Sequence, residues 1–257
     1  MIAAGLTCLV AGDAQLSSTP LVLLPGEGGT AEQQFGFLLP LLARSRQVIA
    51  IDYPDTEESD GGTSTSALDG VRAAVDELLP GREVDVVGYS LGTTTAAELA
   101  AAGRARRLVL IAGWLQPSER QRLFAELWAS SPEAARPALV AFAGVSSAAL
   151  PDSRVRNRVA RDMASAVRMA ALGRKGLTEL APQIQVPTLV IGCAEDAIVP
   201  REQSRALFAA ISDSRYAEVD SGHAVVHERP IELLQLIDDF LAEAAHASDV
   251  PAAGVRA

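Results

Sequence analysis

Ser90 stands at the centre of Gly88-Tyr89-Ser90-Leu91-Gly92, between an apolar, β-branched run at 82–87 and an Ala-rich stretch at 93–102. Strand, tight turn and helix with a serine at the apex lift the hydroxyl above a sheet edge and place it at a helix N-terminus. Backbone N–H groups and the positive end of the helix dipole gather there, so negative charge developing near Ser90 is favoured. The turn is too cramped for a Cβ on either side of the serine, hence the two glycines. A serine hydroxyl is a weak nucleophile at neutral pH and needs a base within hydrogen-bond reach. The chain has three histidines. His223, in Ser221-Gly222-His223, follows the last predicted strand and is the base we select. His227, beside Glu228 and Pro230, is the lesser candidate, and His246 falls in a solvated stretch near the C-terminus. The base needs a carboxylate to hold its tautomer and stabilise the imidazolium. Asp196, in the turn at 192–200 after a buried strand, is that carboxylate, with Glu195 as its neighbour and competitor. The chain order Ser90, Asp196, His223 is the order expected when the nucleophile sits on such a turn.

Acyl transfer also needs donors for the tetrahedral oxyanion. The backbone N–H of Leu91, directly after the nucleophile, is one. The Gly-rich loop Pro25-Gly26-Glu27-Gly28-Gly29-Thr30 offers the second, the N–H of Glu27, with Gly28 as the near alternative. Walker spacing and its lysine are missing from this loop, which sets aside a phosphate cradle. The reading taken for the Glu27 carboxyl is that it turns away and only the N–H acts. If it points inward it becomes an extra acid or base, suited to elimination or cyclisation. Gly26, Gly28, Tyr89, Trp114, Phe124, Trp128, Val199 and Ala224 are the expected walls of the substrate pocket.

An alternating fold must hold these side chains. Residues 6–11, 20–24, 47–51, 82–87, 107–112, 186–192 and 215–219 read as strands, and 33–44, 67–79, 93–102, 201–210 and 230–245 as helices. Such alternation implies a parallel sheet with right-handed crossovers. Residues 2–10 are apolar but short, with no preceding Lys or Arg, and read as an edge strand rather than a signal peptide. Residues 55–66 form a polar loop rich in turn residues. The alternation breaks after Trp114. Residues 116–180 show helical patterns and no convincing strand. They include the apolar stripe Val155, Val159, Met163, Val167, with Arg154, Arg158, Arg161 and Arg168 mostly on other faces. An insertion of this kind reads as a lid over the strand ends. The expected organisation is a core of 1–114 and 182–246, a helical cap of 115–181, and a mobile tail of 247–257.

The chain has 257 residues, 49% of them hydrophobic, enough for one large α/β domain. Its formal net charge of -10 argues against nucleic-acid and anionic-membrane partners. No apolar run is long enough to span a bilayer. Cys8 and Cys193 are far apart and lack a metal-ligand pattern, so they read as free thiols in a reducing compartment, and the expected location is the cytoplasm.

With these residues in place, the chain resembles the α/β-hydrolase superfamily over essentially its whole length, from the loop at 25–30 through 88–92 and Asp196 to Gly222-His223. The resemblance implies an α/β-hydrolase fold: a mostly parallel, usually eight-stranded sheet flanked by helices, with a helical cap inserted after the sixth strand. It implies Ser90 as nucleophile, His223 as general base and then acid, Asp196 as orienting acid, and no metal or organic cofactor. Three features depart from the family. Pro25-Gly26 stands where His-Gly is common. An acidic loop replaces Gly-x-Gly-x-Ser after the strand ending at Asp52. The N-terminus is short, so the first edge strand is expected to be missing or truncated. Residues 24–31, with Ala97-Glu98-Leu99-Ala100, look like the editing thioesterases of polyketide and peptide assembly lines, whereas Gly222-His223-Ala224 with Glu228 and Pro230 looks like the general capped hydrolases. The expected reaction is hydrolysis of a carboxylic ester or thioester through an acyl-enzyme on Ser90, with a place in secondary metabolism. The alternatives are a lyase, cyclase or acyltransferase using the same groups, and a ligand-binding protein without catalysis. The expected partner is a small molecule with an apolar acyl part, matched to Leu115, Leu123, Phe124, Leu127, Trp128, Leu139 and Phe142, or a carrier-bound thioester docked on the Arg-rich segment 154–174.

Overall fold

The computed structural model describes residues 1–52, 65–163, 172–173 and 176–247. Among them eight strands form one sheet: β1 (Ile2–Ala3), β2 (Leu6–Ala11), β3 (Leu21–Leu24), β4 (Val48–Ile51), β5 (Val84–Tyr89), β6 (Ala105–Ile111), β7 (Thr188–Cys193) and β8 (Ser214–Val219). Their order across the sheet is β1-β2-β4-β3-β5-β6-β7-β8, antiparallel at the β1–β2 and β2–β4 pairings and parallel elsewhere. The central strands β3, β4, β5 and β7 are buried at every residue, as expected of parallel strands covered on both faces.

Ten α-helices complete the described architecture: α1 (Ala31–Phe35), α2 (Leu38–Leu42), α3 (Thr65–Leu78), α4 (Gly92–Ala101), α5 (Glu119–Ser130), α6 (Arg136–Gly144), α7 (Ser153–Met163), α8 (Arg201–Ala210), α9 (Val225–Glu228) and α10 (Pro230–Ala247). The two-residue period of β3 shows how they divide. Val22 and Leu24 pack in one cluster with Val71 and Val75 of α3, Leu99 of α4 and Leu207 of α8. Leu21 and Leu23 pack in the other with Phe35 of α1, Leu38 and Leu42 of α2, and Leu233 and Ile237 of α10.

Three local differences from expectation have simple causes. The single helix expected over 33–44 is two, α1 and α2. Pro40 has no N–H to give to the Gly36 carbonyl, and its ring crowds that carbonyl. A reciprocal capping box between Thr30 and Gln33 starts α1 earlier than expected. The edge strand expected over 2–10 is a hairpin, because Ala4 and Gly5 both take positive φ, +47° and +81°, and close a two-residue turn. The outermost strand is therefore truncated to two residues rather than missing. The polar loop expected over 55–66 ends by Thr65, which begins α3; residues 55–64 lie outside the described residues, as do Val167, Arg168, Arg174 and 248–257 of the expected tail.

Helices α5, α6 and α7 fall between β6 and β7. They bury Phe124, Trp128, Val140 and Val159 against Leu91, Trp114, Ile198, Val199 and Ala224, which follow the carboxyl ends of β5, β6, β7 and β8. Each large side chain buried this way contributes about 1.5–3 kcal/mol. Leu123, Leu127 and Phe142, expected to supply apolar bulk, face solvent instead.

Candidate active site

Ser90 occupies the turn between β5 and α4 with φ +50°, a left-handed conformation that costs a non-glycine residue about 1–3 kcal/mol. Hydrogen bonds at both ends hold it there. Its N–H donates to the Ile111 carbonyl at 2.8 Å, and its carbonyl accepts from the Thr93 N–H at 3.0 Å and the Thr93 hydroxyl at 2.6 Å. The neighbouring glycines are required by space. A Cβ on Gly92 would meet the Leu24 carbonyl oxygen at 2.4 Å, and one on Gly88 would meet the Gly92 oxygen at 2.7 Å.

The structure brings Ser90, His223 and Asp196 together. His223 Nε2 lies 2.8 Å from Ser90 Oγ, and Nδ1 lies 2.7 Å from Asp196 Oδ2. Asp196 Oδ1 is committed to the N–H groups of Ile198 and Val199 at 2.8 and 2.7 Å, so Oδ2 is the oxygen left for the imidazole. A carboxylate at Nδ1 fixes the proton there and turns the Nε2 lone pair toward the serine hydroxyl. All three side chains are buried. Glu195 does not compete, because its carboxylate accepts the Ser147 N–H at 2.9 Å, and hydrogen bonding to the Ser147 side chain first, then to its N–H, holds the carboxyl below the usual range.

The loop carrying His223 is pinned by Tyr89, expected only as a pocket wall, and by Glu228. The Tyr89 hydroxyl donates to the His223 carbonyl at 2.8 Å. Burial first, then the nearby Cys193, Asp196, Glu228 and Asp162, push the Tyr89 phenol well above its ordinary range, so it stays a donor. Glu228 accepts from the Ser146 hydroxyl at 2.5 Å and from the Gly222 N–H at 3.2 Å, tying this loop to the segment after α6. Gly222 permits the close approach, since a Cβ there would meet the Ser146 nitrogen at 2.6 Å.

The Gly-rich loop at 25–30 is likewise clamped. The Gln34 side chain accepts the Gly26 N–H at 2.7 Å and donates to the Gly26 carbonyl at 3.4 Å, which occupies both backbone polar groups of Gly26. Leu91 follows Ser90 at the start of α4, and its N–H makes no hydrogen bond among the described residues. The Glu27 side chain is buried, with Oε2 fully enclosed.

Beside Ser90 lies a cavity of about 10 Å³, room for one water. Tyr89 and Ala224 of the expected walls do line it. Trp114, Phe124, Trp128 and Val199 sit instead inside the apolar cluster beneath α5–α7. Gly26 and Gly28 lie in the loop at 25–30 and are not among its lining residues. The walls not foreseen are Gln34, Val159 and His227, which come from α1, α7 and α9. His227 does not serve Ser90; its Nε2 faces Asp162 Oδ2 at 2.6 Å.

Comparison with known proteins agrees with this architecture. A family model described as the alpha/beta hydrolase family matches residues 21–236. Pyrrolizixenacetamide deacetylase of Xenorhabdus hominickii is 30% identical over 93% of this chain and 98% of its own. A protein bearing the name carbamate hydrolase RutD, from Azorhizobium caulinodans, is 30% identical over 90% of this chain and 97% of its own. The crystal structure of the enol-lactonase from Burkholderia xenovorans superposes with a TM-score of 0.77 at 23% identity, covering 92% of this chain and 96% of that one.

Proposed function

The chain belongs to the alpha/beta hydrolase family and is a hydrolase, and we propose that it cleaves acyl bonds through a covalent intermediate on Ser90. The observation that carries this reading is the continuous relay Ser90 Oγ to His223 to Asp196, at 2.8 and 2.7 Å. Ser90 attacks the acyl carbon as His223 Nε2 takes its proton. The oxyanion forms against the N–H groups of Leu91 and Glu27, where each such donor contributes about 10²–10³ in rate. His223 then delivers the proton to the leaving group, and water repeats the sequence on the acyl-enzyme.

Esters are the bonds this chemistry breaks most readily. The names of the two relatives, one an acetamide deacetylase and one a carbamate hydrolase, support extending the substrate class to carbonyl carbons bonded to nitrogen. The helices α5–α7 act in this reading as a cap. Because the cavity holds only about one water, the cap must shift for an acyl group to enter. A carrier-linked thioester is a second reading, favoured by the exposed Arg154, Arg158 and Arg161 on α7, the helix whose Val159 lines the cavity.

A panel of aryl esters, anilides, free thioesters and a carrier-bound thioester, run in isotopically labelled water, tests these readings together. The expected result is an acid product carrying the label, with the simple esters turned over. Acyl release without incorporation of solvent oxygen would replace hydrolysis by transfer or cyclisation. A carrier-bound thioester consumed in preference to its free form would promote the second reading.

A further inference from the structure

The backbone around His223 is held at three consecutive residues. The Gly222 N–H donates to Glu228 Oε1 at 3.2 Å, the His223 carbonyl accepts from the Tyr89 hydroxyl at 2.8 Å, and the Ala224 N–H donates to the Gly144 carbonyl at 2.8 Å. The middle hold comes from the end of β5. The outer two lead into the insertion between β6 and β7. Gly144 is the last residue of α6, and the Glu228 carboxylate that takes the Gly222 N–H also takes two donors from Ser146, the hydroxyl at 2.5 Å and the N–H at 3.2 Å. Ser147, next in the chain, gives its N–H to Glu195 at 2.9 Å, beside Asp196. Residues 144–147 therefore touch the loop of the base and the loop of the acid at once.

We propose that Glu228 is a positioning residue: it fastens the connection between α6 and α7 to the backbone of His223, so that the imidazole meets Ser90 in working geometry only while residues 144–147 are seated on the core. The inference rests on the acyl chemistry at Ser90 proposed above. The two chain segments meet backbone to backbone. A Cβ on Gly222 would lie 2.6 Å from the Ser146 nitrogen and 2.7 Å from the Gly144 oxygen. Gly222 and Ser146 each bring an N–H to this seam, and neither N–H can satisfy the other. A carboxylate between them accepts from both, and hydrogen bonds to a charged acceptor are the strong ones. Ser146 and Gly222 are buried, so losing that acceptor would leave both N–H groups unpaired inside the protein. Glu228 is itself fixed, because its own N–H donates to the Ala224 carbonyl at 3.1 Å. Its side chain thus reaches back over a closed turn to the residue before His223. The imidazole contacts at 2.8 and 2.7 Å have no slack, and a misplacement of about 1 Å can cost about 10²-fold in rate.

The test measures para-nitrophenyl acetate turnover in Glu228→Ala and Glu228→Gln, each well below its own melting temperature. Glu228→Ala is expected to lower kcat at least about tenfold, to leave KM within about threefold, and to slow fluorophosphonate labelling of Ser90 in step with kcat. Glu228→Gln is expected to recover most of that loss. Its carbonyl can accept the Gly222 and Ser146 N–H groups, and its amide can donate to the Ser146 hydroxyl oxygen. A role in stability alone would lower the melting temperature and leave kcat in place, which overturns the proposal. A loss confined to KM overturns it too, as does a glutamine variant as slow as the alanine one, since charge rather than hydrogen bonding would then carry the effect. If Glu228→Ala does not fold, Ser146→Ala carries the test. It removes one hydroxyl outside the cavity over Ser90 and is expected to lower kcat at least about threefold; an unchanged kcat overturns the proposal. Turnover that survives Ser90→Ala overturns the acyl chemistry and this proposal with it, whereas Ser90-dependent turnover indifferent to Glu228 overturns this proposal alone.

Discussion

Ser90→Ala lowers kcat/KM for an aryl ester by about 10⁵–10⁶-fold, and His223→Ala does nearly the same. The double substitution costs little more than either alone, because the hydroxyl and the imidazole 2.8 Å away act as one unit. What survives is the contribution of the backbone donors and of binding, roughly 10³ over water. Steady-state kinetics read the loss directly. Thermal melting separates it from misfolding, since alanine keeps the Cβ and the N–H bond to Ile111 and removes only a hydroxyl. An Ser90→Ala protein with undiminished turnover would transfer the nucleophile's role to another residue.

Asp196→Asn lowers kcat by about 10⁴-fold while leaving the fold in place. The asparagine carbonyl can take the position of Oδ1 and accept the Ile198 and Val199 N–H groups, as the carboxylate does at 2.8 and 2.7 Å. Its amide NH₂ then faces His223 Nδ1. A donor there forces the lone pair onto Nδ1 and the proton onto Nε2, which turns an N–H toward the serine hydroxyl in place of a base. The damage is thus to the tautomer rather than to the position of the ring. A pre-steady-state measurement should show acylation slowed with ester binding preserved. A loss of less than about tenfold would mean that the contact at 2.7 Å does not govern the His223 proton.

The grouping of Ser90, Asp196 and His223 was legible in the sequence because the motifs that carry them are local. Ser90 needs a glycine on each side of a strand-to-helix turn, and Asp196 and His223 each follow a strand, so short motifs betray them. The alternation of elements was legible for a related reason: parallel strands buried on both faces are apolar throughout. Of the walls of the cavity, Tyr89 and Ala224 were legible and the rest were not. Gln34, Val159 and His227 come from three helices far apart in the chain, and no short pattern joins them. The helix α9 that carries His227 is only four residues long, too short for periodicity to reveal. The aromatic residues favoured as pocket walls, Trp114, Phe124 and Trp128, lie inside a packed cluster, where a large ring removes more apolar surface from water than it would at the edge of a void. Glu27 is buried and lines the same cavity, while its Gly-rich loop left the direction of the carboxyl open.

The central claim, that Ser90 is an activated nucleophile within reach of a base held by Asp196, is tested most directly by covalent labelling. The protein is treated with a fluorophosphonate at neutral pH, digested, and analysed by mass spectrometry. A single adduct on Ser90, lost in Ser90→Ala and strongly slowed in His223→Ala, is the expected result. An unlabelled Ser90 in protein that still turns over esters, or a stoichiometric adduct on a different residue, would contradict it.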